Sequence, residues 1–198
     1  MKKGILMPVL AVLIAAAVLL GLSAGLSGVA AKNAQEEHLK LLKMMSPGSE
    51  TFTLEAYDGE DANIRGVHKG EKGFVIETVT YGYAGEITVF VGVSNEGKVT
   101  GLVVRDLSET YGLGREALTD VDFLKQFLNS EGAFEVVTSG ADAFSGATAA
   151  AEPEGDTVGV DALTGATVTS KAVVRCINSA VAYVTGADAA TAATSWGG

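Results

Sequence analysis

The sequence predicts an α+β protein in which an N-terminal transmembrane helix precedes one small domain with an antiparallel-rich sheet and a C-terminal helix. Three observations predict this class. A long uncharged run fills residues 5–31, apolar residues alternate with period two from residue 86, and apolar positions recur every four residues over residues 168–184. With 198 residues, of which 47% are hydrophobic, the chain is long enough for an anchor and one domain with a core.

The uncharged run predicts a membrane anchor. It is longer than the roughly 20 residues that span a bilayer as a helix. Lys2 and Lys3 precede it, so residues 1–31 are predicted to be a cytoplasmic stub and a single-pass anchor that places everything after Ala31 outside the cytoplasm. A cleaved secretory signal is the alternative interpretation, because small residues lie near the end of the run. Both interpretations export the domain.

The remaining chain divides at breaker residues and composition changes. Residues 32–48 are predicted to form a juxtamembrane helix that ends at Ser46, Pro47 and Gly48. Residues 49–185 are the predicted domain, and residues 186–198 a flexible tail. The predicted elements are strands at Phe52–Tyr57 and Phe74–Thr80, a hairpin of Glu86–Val93 and Val99–Leu107, a short helix over Asp120–Asn129, and a last helix after Leu163.

Charge and composition exclude several classes of function. The net charge of −10 and the lack of a Lys/Arg cluster exclude nucleic acid as a partner. One cysteine, Cys176, cannot form an internal disulfide or a thiolate metal cluster, and its apolar surroundings predict a buried small side chain. His38 and His68 show no metal-binding spacing, so no metal site is predicted. Redox chemistry would therefore need a bound cofactor.

The segment from Asp161 to Thr167 lies directly before the last predicted helix. Unpaired amides and the positive end of the helix dipole favour a phosphate at such a position. Gly165 and Ala166 allow close backbone approach, and Thr164 and Thr167 offer hydroxyl groups. An ordinary N-cap is the alternative interpretation of the same residues.

Residues 161–170, DALTGATVTS, resemble the flavinylation motif of FMN-binding subunits in the Rnf and Na+-translocating NADH:quinone reductase complexes. The resemblance implies that a flavin transferase using FAD joins FMN to Thr167 through a phosphoester bond. Asp161, Thr164, Gly165 and Ala166 are then its recognition context.

A second stretch, ETYGLG at residues 109–114, is similar to the family's loop that lies against the flavin ring. This similarity implies cofactor contacts for Glu109, Thr110, Gly112, Leu113 and Gly114. A Gly-rich turn after a strand is the alternative interpretation.

An echo of the acceptor motif occurs at residues 142–148, DAFSGAT, and makes Thr148 a second candidate FMN site. The residues after it contain Pro153 and do not continue as an amphipathic helix. A phosphate at Thr148 would lack the helix start predicted at Thr167.

The resemblance implies an electron-transfer subunit with covalent FMN in a membrane-bound ion-translocating ferredoxin:NAD+ oxidoreductase of the Rnf type. Such a subunit is the redox part of a translocase and not an independent catalyst. Its implied partners are the other membrane and redox subunits, the flavin transferase and the membrane. Two alternatives stay open: an FMN carrier in another exported electron-transfer system, and a non-redox assembly or binding module.

Overall fold

The computed structural model describes residues 29–107, 119–137, 157–163 and 165–187. Contacts divide the chain into two compact units between Leu41 and Leu42. Most of the predicted anchor falls in residues 1–28 and so lies outside the described residues. Across the four described ranges, no helix is both long enough and apolar enough to cross a membrane.

Helix α1 is described over residues 29–45, and the helix ends where the breaker residues Ser46, Pro47 and Gly48 begin. Its last turn belongs to the second unit, where Leu42 and Met45 are buried. The Thr100 hydroxyl donates a 2.6 Å hydrogen bond to the Met45 carbonyl. Contact between this turn and the sheet depends on Gly92, where an added Cβ would lie 2.0 Å from the Met45 carbonyl oxygen.

Five strands follow in chain order and form one antiparallel sheet. They are β1 Phe52–Glu55, β2 Ile64–Gly70, β3 Gly73–Tyr81, β4 Glu86–Ser94 and β5 Val99–Leu107. The predicted hairpin is confirmed, since β4 pairs with β5 from Ile87 opposite Leu107 to Val93 opposite Val99. Gly97 has a φ of 89° in the connecting turn, a conformation that glycine adopts without steric cost.

Strand β2 was not predicted. Its pairing with β3 shifts register between Ile64 and Gly66, which is a β-bulge. As a result, the buried Ile64 and Val67 stand three positions apart, which conceals the period-two signal. Strand β1 also ends at Glu55, two residues before the predicted end at Tyr57.

Helix α2, Val121–Lys125, is shorter than the predicted helix over Asp120–Asn129. The Asp120 carboxylate caps its start, and a turn replaces helix over residues 126–129. Asn129 has a φ of 61°, and its N–H donates to the Val99 carbonyl of β5 instead of continuing the helix. The side chains of this segment differ in burial: Phe123 and Phe127 are buried, whereas Leu128 is 38% exposed.

A second sheet consists of β6, Phe134–Val137, and β7, Val158–Asp161, which pair in parallel. Helix α3, Thr167–Thr185, follows β7 and buries the predicted apolar face. One core joins this helix to the large sheet through residues such as Ile76, Val91, Ala172, Cys176 and Ile177. The described residues from Leu42 onward thus form a single α+β domain with a five-stranded antiparallel sheet and a C-terminal helix.

Candidate functional site

The structure brings four of the predicted site residues together at the start of α3. Asp161 ends β7, Gly165 and Ala166 form the turn that follows, and Thr167 is the first residue of the helix. The other predicted site residues lie outside the described residues: Thr164, Glu109, Thr110, Gly112, Leu113, Gly114 and Thr148.

A tight turn sets the direction in which the chain enters α3. The Ala166 N–H donates to the Leu163 carbonyl at 2.9 Å, which closes the turn. Gly165 stands at the third position of this turn with a φ of 77°, a left-handed conformation that glycine adopts without steric cost. Gly165 is therefore needed for the turn itself, independently of any ligand.

The start of α3 carries amide groups that its own backbone does not use. The first intrahelical bond runs from the Ser170 N–H to the Ala166 carbonyl at 2.8 Å, so the N–H groups of residues 167–169 precede the hydrogen-bond ladder. Among the described residues no side chain caps this end, and the first turn holds no acidic residue. The N-cap residue is Ala166, so Thr167 lies one position inside the helix and not at its cap.

These features fit the phosphate end of FMN. Free amides and the dipole of a 19-residue helix attract an anion, and no carboxylate of the first turn repels one. The half-buried Thr167 brings a hydroxyl group to the same place.

Ser170 fixes the turn to the helix, a role that the sequence did not reveal. This residue is fully buried, and its hydroxyl accepts from the Leu163 N–H at 3.2 Å while donating to the Ala166 carbonyl at 3.0 Å. Serine side chains in helices often bond the carbonyl four residues earlier. The position of Ser170 four residues after Ala166 could therefore have indicated this contact from the sequence.

The small parallel sheet is closed at both outer edges by side-chain amides. Asn178 of α3 accepts from the Phe134 N–H and donates to the Phe134 carbonyl, both at 2.8 Å. At the other edge, Gln126 accepts from the Asp161 N–H at 2.9 Å and approaches the Asp161 carbonyl with its amide nitrogen at 3.5 Å. Sequence reasoning missed both residues, since no local pattern indicates either contact.

Cys176 plays no part in this site. It is buried on α3, as predicted, and burial raises the pKa of its thiol to about 11. A thiol that stays protonated at neutral pH is a poor nucleophile and metal ligand. The described residues contain no group of His, Cys, Asp and Glu side chains arranged to hold a metal ion.

Fold and site together define an α+β domain that offers a helix start and a hydroxyl to a phosphate-bearing cofactor. Residues 82–182 match the FMN-binding domain family. The chain belongs to this family, and its cofactor is FMN. The matched range contains every residue of both predicted motifs and of the echo at Thr148.

Two curated relatives are 34% identical to the chain. One is the G subunit of the proton-translocating ferredoxin:NAD(+) oxidoreductase complex of Clostridium ljungdahlii, matched over 59% of this chain and 57% of the relative. The other is the G subunit of the Na(+)-translocating ferredoxin:NAD(+) oxidoreductase complex of Acetobacterium woodii, matched over 55% of this chain and 47% of the relative. The chain thus spans about half the length of these relatives.

A solved structure, that of Shewanella oneidensis NqrC, is 25% identical to the chain. The superposition covers 68% of this chain and 65% of that chain, with a TM-score of 0.45.

Proposed function

We propose that the chain carries FMN on Thr167 through a phosphoester bond and serves as an electron-transfer subunit of an ion-translocating ferredoxin:NAD+ oxidoreductase of the Rnf type. The observation that carries the proposal is the position of Thr167. It is the first residue of a helix whose leading amides are free of side-chain caps among the described residues. This position lies inside the part of the chain that matches the FMN-binding domain family.

Each part of the site has a separate task in this proposal. Bound FMN supplies reversible electron transfer, while the protein supplies attachment, orientation and local electrostatics. Thr167 provides the bond, the amides of residues 167–169 offset the phosphate charge, and Asp161 contributes an exposed carboxylate for the flavin transferase. Glu109, Thr110, Gly112, Leu113 and Gly114 would contact the flavin ring, and Thr148 remains a second candidate acceptor.

The role in a complex is supported by the names of the relatives, both of which are subunits of ion-translocating complexes. The chain would be a redox subunit of a translocase, with the other membrane and redox subunits as partners and no activity of its own. In this proposal residues 1–31 anchor it with the N-terminus in the cytoplasm, and the FMN-binding domain, residues 49–185, faces the other side.

The test is mass spectrometry of the chain produced together with a flavin transferase. The wild-type chain is expected to carry one FMN adduct on the peptide that contains Thr167. Thr167→Ala should lose it, whereas Thr167→Ser, which keeps a hydroxyl, should retain it.

Thr148→Ala tests the echo of the motif in the same experiment. An adduct that persists in Thr167→Ala and disappears only in Thr148→Ala would move the attachment site. A wild-type chain with no adduct under these conditions would remove the main support for an electron-transfer role and favour a binding module.

A further inference from the structure

We propose that Gln126 is a positioning residue for flavin attachment, which holds Asp161 so that the turn after it presents Thr167 to the flavin transferase. This inference rests on the proposed function of Thr167. It assigns a task to Gln126, the C-cap residue of helix α2, which belongs to neither motif.

The contact between Gln126 and Asp161 is specific to the backbone of Asp161. The Asp161 N–H donates to the side-chain carbonyl oxygen of Gln126 at 2.9 Å, and the Gln126 amide nitrogen lies 3.5 Å from the Asp161 carbonyl. The two residues are 35 positions apart, so the contact joins two distant segments. Among the described residues, no strand pairs with this edge of β7, and the Gln126 side chain bonds its backbone there instead.

Strand geometry explains why a side chain is needed at this point. Along a strand, successive N–H groups point to opposite edges. The Val158 and Ala162 N–H groups donate to carbonyls of Ala133 and Val137 on the β6 side. The Asp161 N–H therefore points away from β6, where Gln126 accepts it.

Fixing the backbone of Asp161 fixes the start of the acceptor segment. The other end is fixed by Ser170, which bonds both Leu163 and Ala166. Between these two points the chain makes a single turn before Thr167. Gln126 leaves the Asp161 carboxylate exposed, so the side chain stays accessible while its direction is set.

Attachment of FMN requires a close and well-directed approach of two groups. The Thr167 oxygen forms a bond to the FMN phosphorus of FAD, the pyrophosphate bond breaks, AMP leaves, and the hydroxyl proton passes to solvent or a transferase base. Small misplacement of a reacting group lowers such rates strongly. Loss of the bond at Asp161 should lower kcat/KM of the modification about tenfold.

The experiment compares full-length unmodified chains in detergent as substrates of a flavin transferase with FAD. Gln126→Leu removes both contacts at similar volume. Gln126→Glu keeps an oxygen acceptor for the 2.9 Å bond and should be modified at a rate within about threefold of wild type. The matched control is Gln35→Leu, the same substitution at the exposed glutamine of α1.

Three readouts separate positioning from general damage. They are the modification rate, the thermal unfolding midpoint, and amide hydrogen exchange at Asp161 in the unmodified chain. For Gln126→Leu we expect a slower rate and faster exchange at Asp161, with an unfolding midpoint within a few degrees of Gln35→Leu.

An unchanged modification rate in Gln126→Leu would overturn the inference. So would a Gln126→Glu rate as low as that of Gln126→Leu, or a loss of rate explained by an equal loss of folded protein. In each case the adduct on Thr167 would still form in the wild-type chain, and the proposed function would stand. If the wild-type chain forms no adduct on Thr167, the proposed function fails first.

Discussion

The Asn178 contact on β6 allows a stability prediction with a calculable size. Asn178 is 5% exposed, and its amide bonds the N–H and the carbonyl of Phe134, each at 2.8 Å. Phe134 is itself only 3% exposed, and its ring packs against Phe127 with centroids 5.3 Å apart. Asn178→Ala would leave two main-chain groups in a buried place without their partner.

The magnitude follows from the cost of unpaired buried groups. Each unsatisfied polar group costs about 1–3 kcal/mol, so the two together cost about 2–6 kcal/mol. Typical domains unfold at a cost of only about 5–15 kcal/mol. Asn178→Ala should therefore lower the melting temperature by at least about 5 °C. Because β6 supports β7, the variant should also be modified more slowly at Thr167.

Urea unfolding followed by circular dichroism measures the change. Asn95→Ala, at an exposed position in the β4–β5 turn, is the control and should stay within about 0.5 kcal/mol of wild type. A free energy of unfolding for Asn178→Ala that equals that of the control would refute the reasoning. It would mean that water or backbone movement satisfies the Phe134 groups at little cost.

Three further predictions concern other contacts. Between about pH 9 and 11 the unfolded chain loses the Cys176 proton before the folded chain does, because burial raises the folded-state pKa to about 11. The free energy of unfolding should therefore fall by roughly 1 kcal/mol per pH unit in this window, as measured by urea unfolding. Gly92→Ala places a Cβ 2.0 Å from the Met45 carbonyl oxygen and should cost about 3 kcal/mol or more in urea unfolding. Ser170→Ala leaves the Leu163 N–H without its acceptor and should cost about 1–3 kcal/mol, with faster hydrogen exchange at Leu163.

Each of these has a control within the chain. Cys176→Ala should reduce the slope above pH 9 by roughly 1 kcal/mol per pH unit, and an unchanged slope would assign it to another group. Gly66→Ala, where the nearest atom to the added Cβ is 3.6 Å away, should be nearly neutral, and a cost equal to that of Gly92→Ala would contradict the steric account. Unaltered exchange at Leu163 in Ser170→Ala would show that the serine does not hold the turn.

Regular periodicity made part of the fold predictable. Ile87, Val89, Val91 and Val93 alternate along β4, and α3 repeats its apolar positions every four residues, so both elements were found. The bulge at Ile64 broke the alternation of β2, and the left-handed Asn129 stopped α2 early. In both places one backbone irregularity overrode the pattern of side chains.

In the candidate site, too, the sequence predicted some residues and missed others. Its proposed acceptor, Thr167, comes from a local motif, and the structure has this residue as the first of α3. Gln126 and Asn178 had no local signal, because each bonds the backbone of a residue 35 or 44 positions away. A backbone group is the same for every residue type, so the sequence of the partner carries no trace of the contact.

The sequence alone therefore predicted the proposed acceptor motif, the central hairpin and the buried face of the last helix, because each depends on residues that are neighbours along the chain or recur with a fixed period. Only the tertiary structure decided the parallel pairing of β6 with β7, the closure of that sheet by two side-chain amides, and the packing of Met45 against Gly92. These features join segments that are distant in sequence, and they arise from the need to satisfy buried polar groups and to pack atoms without overlap.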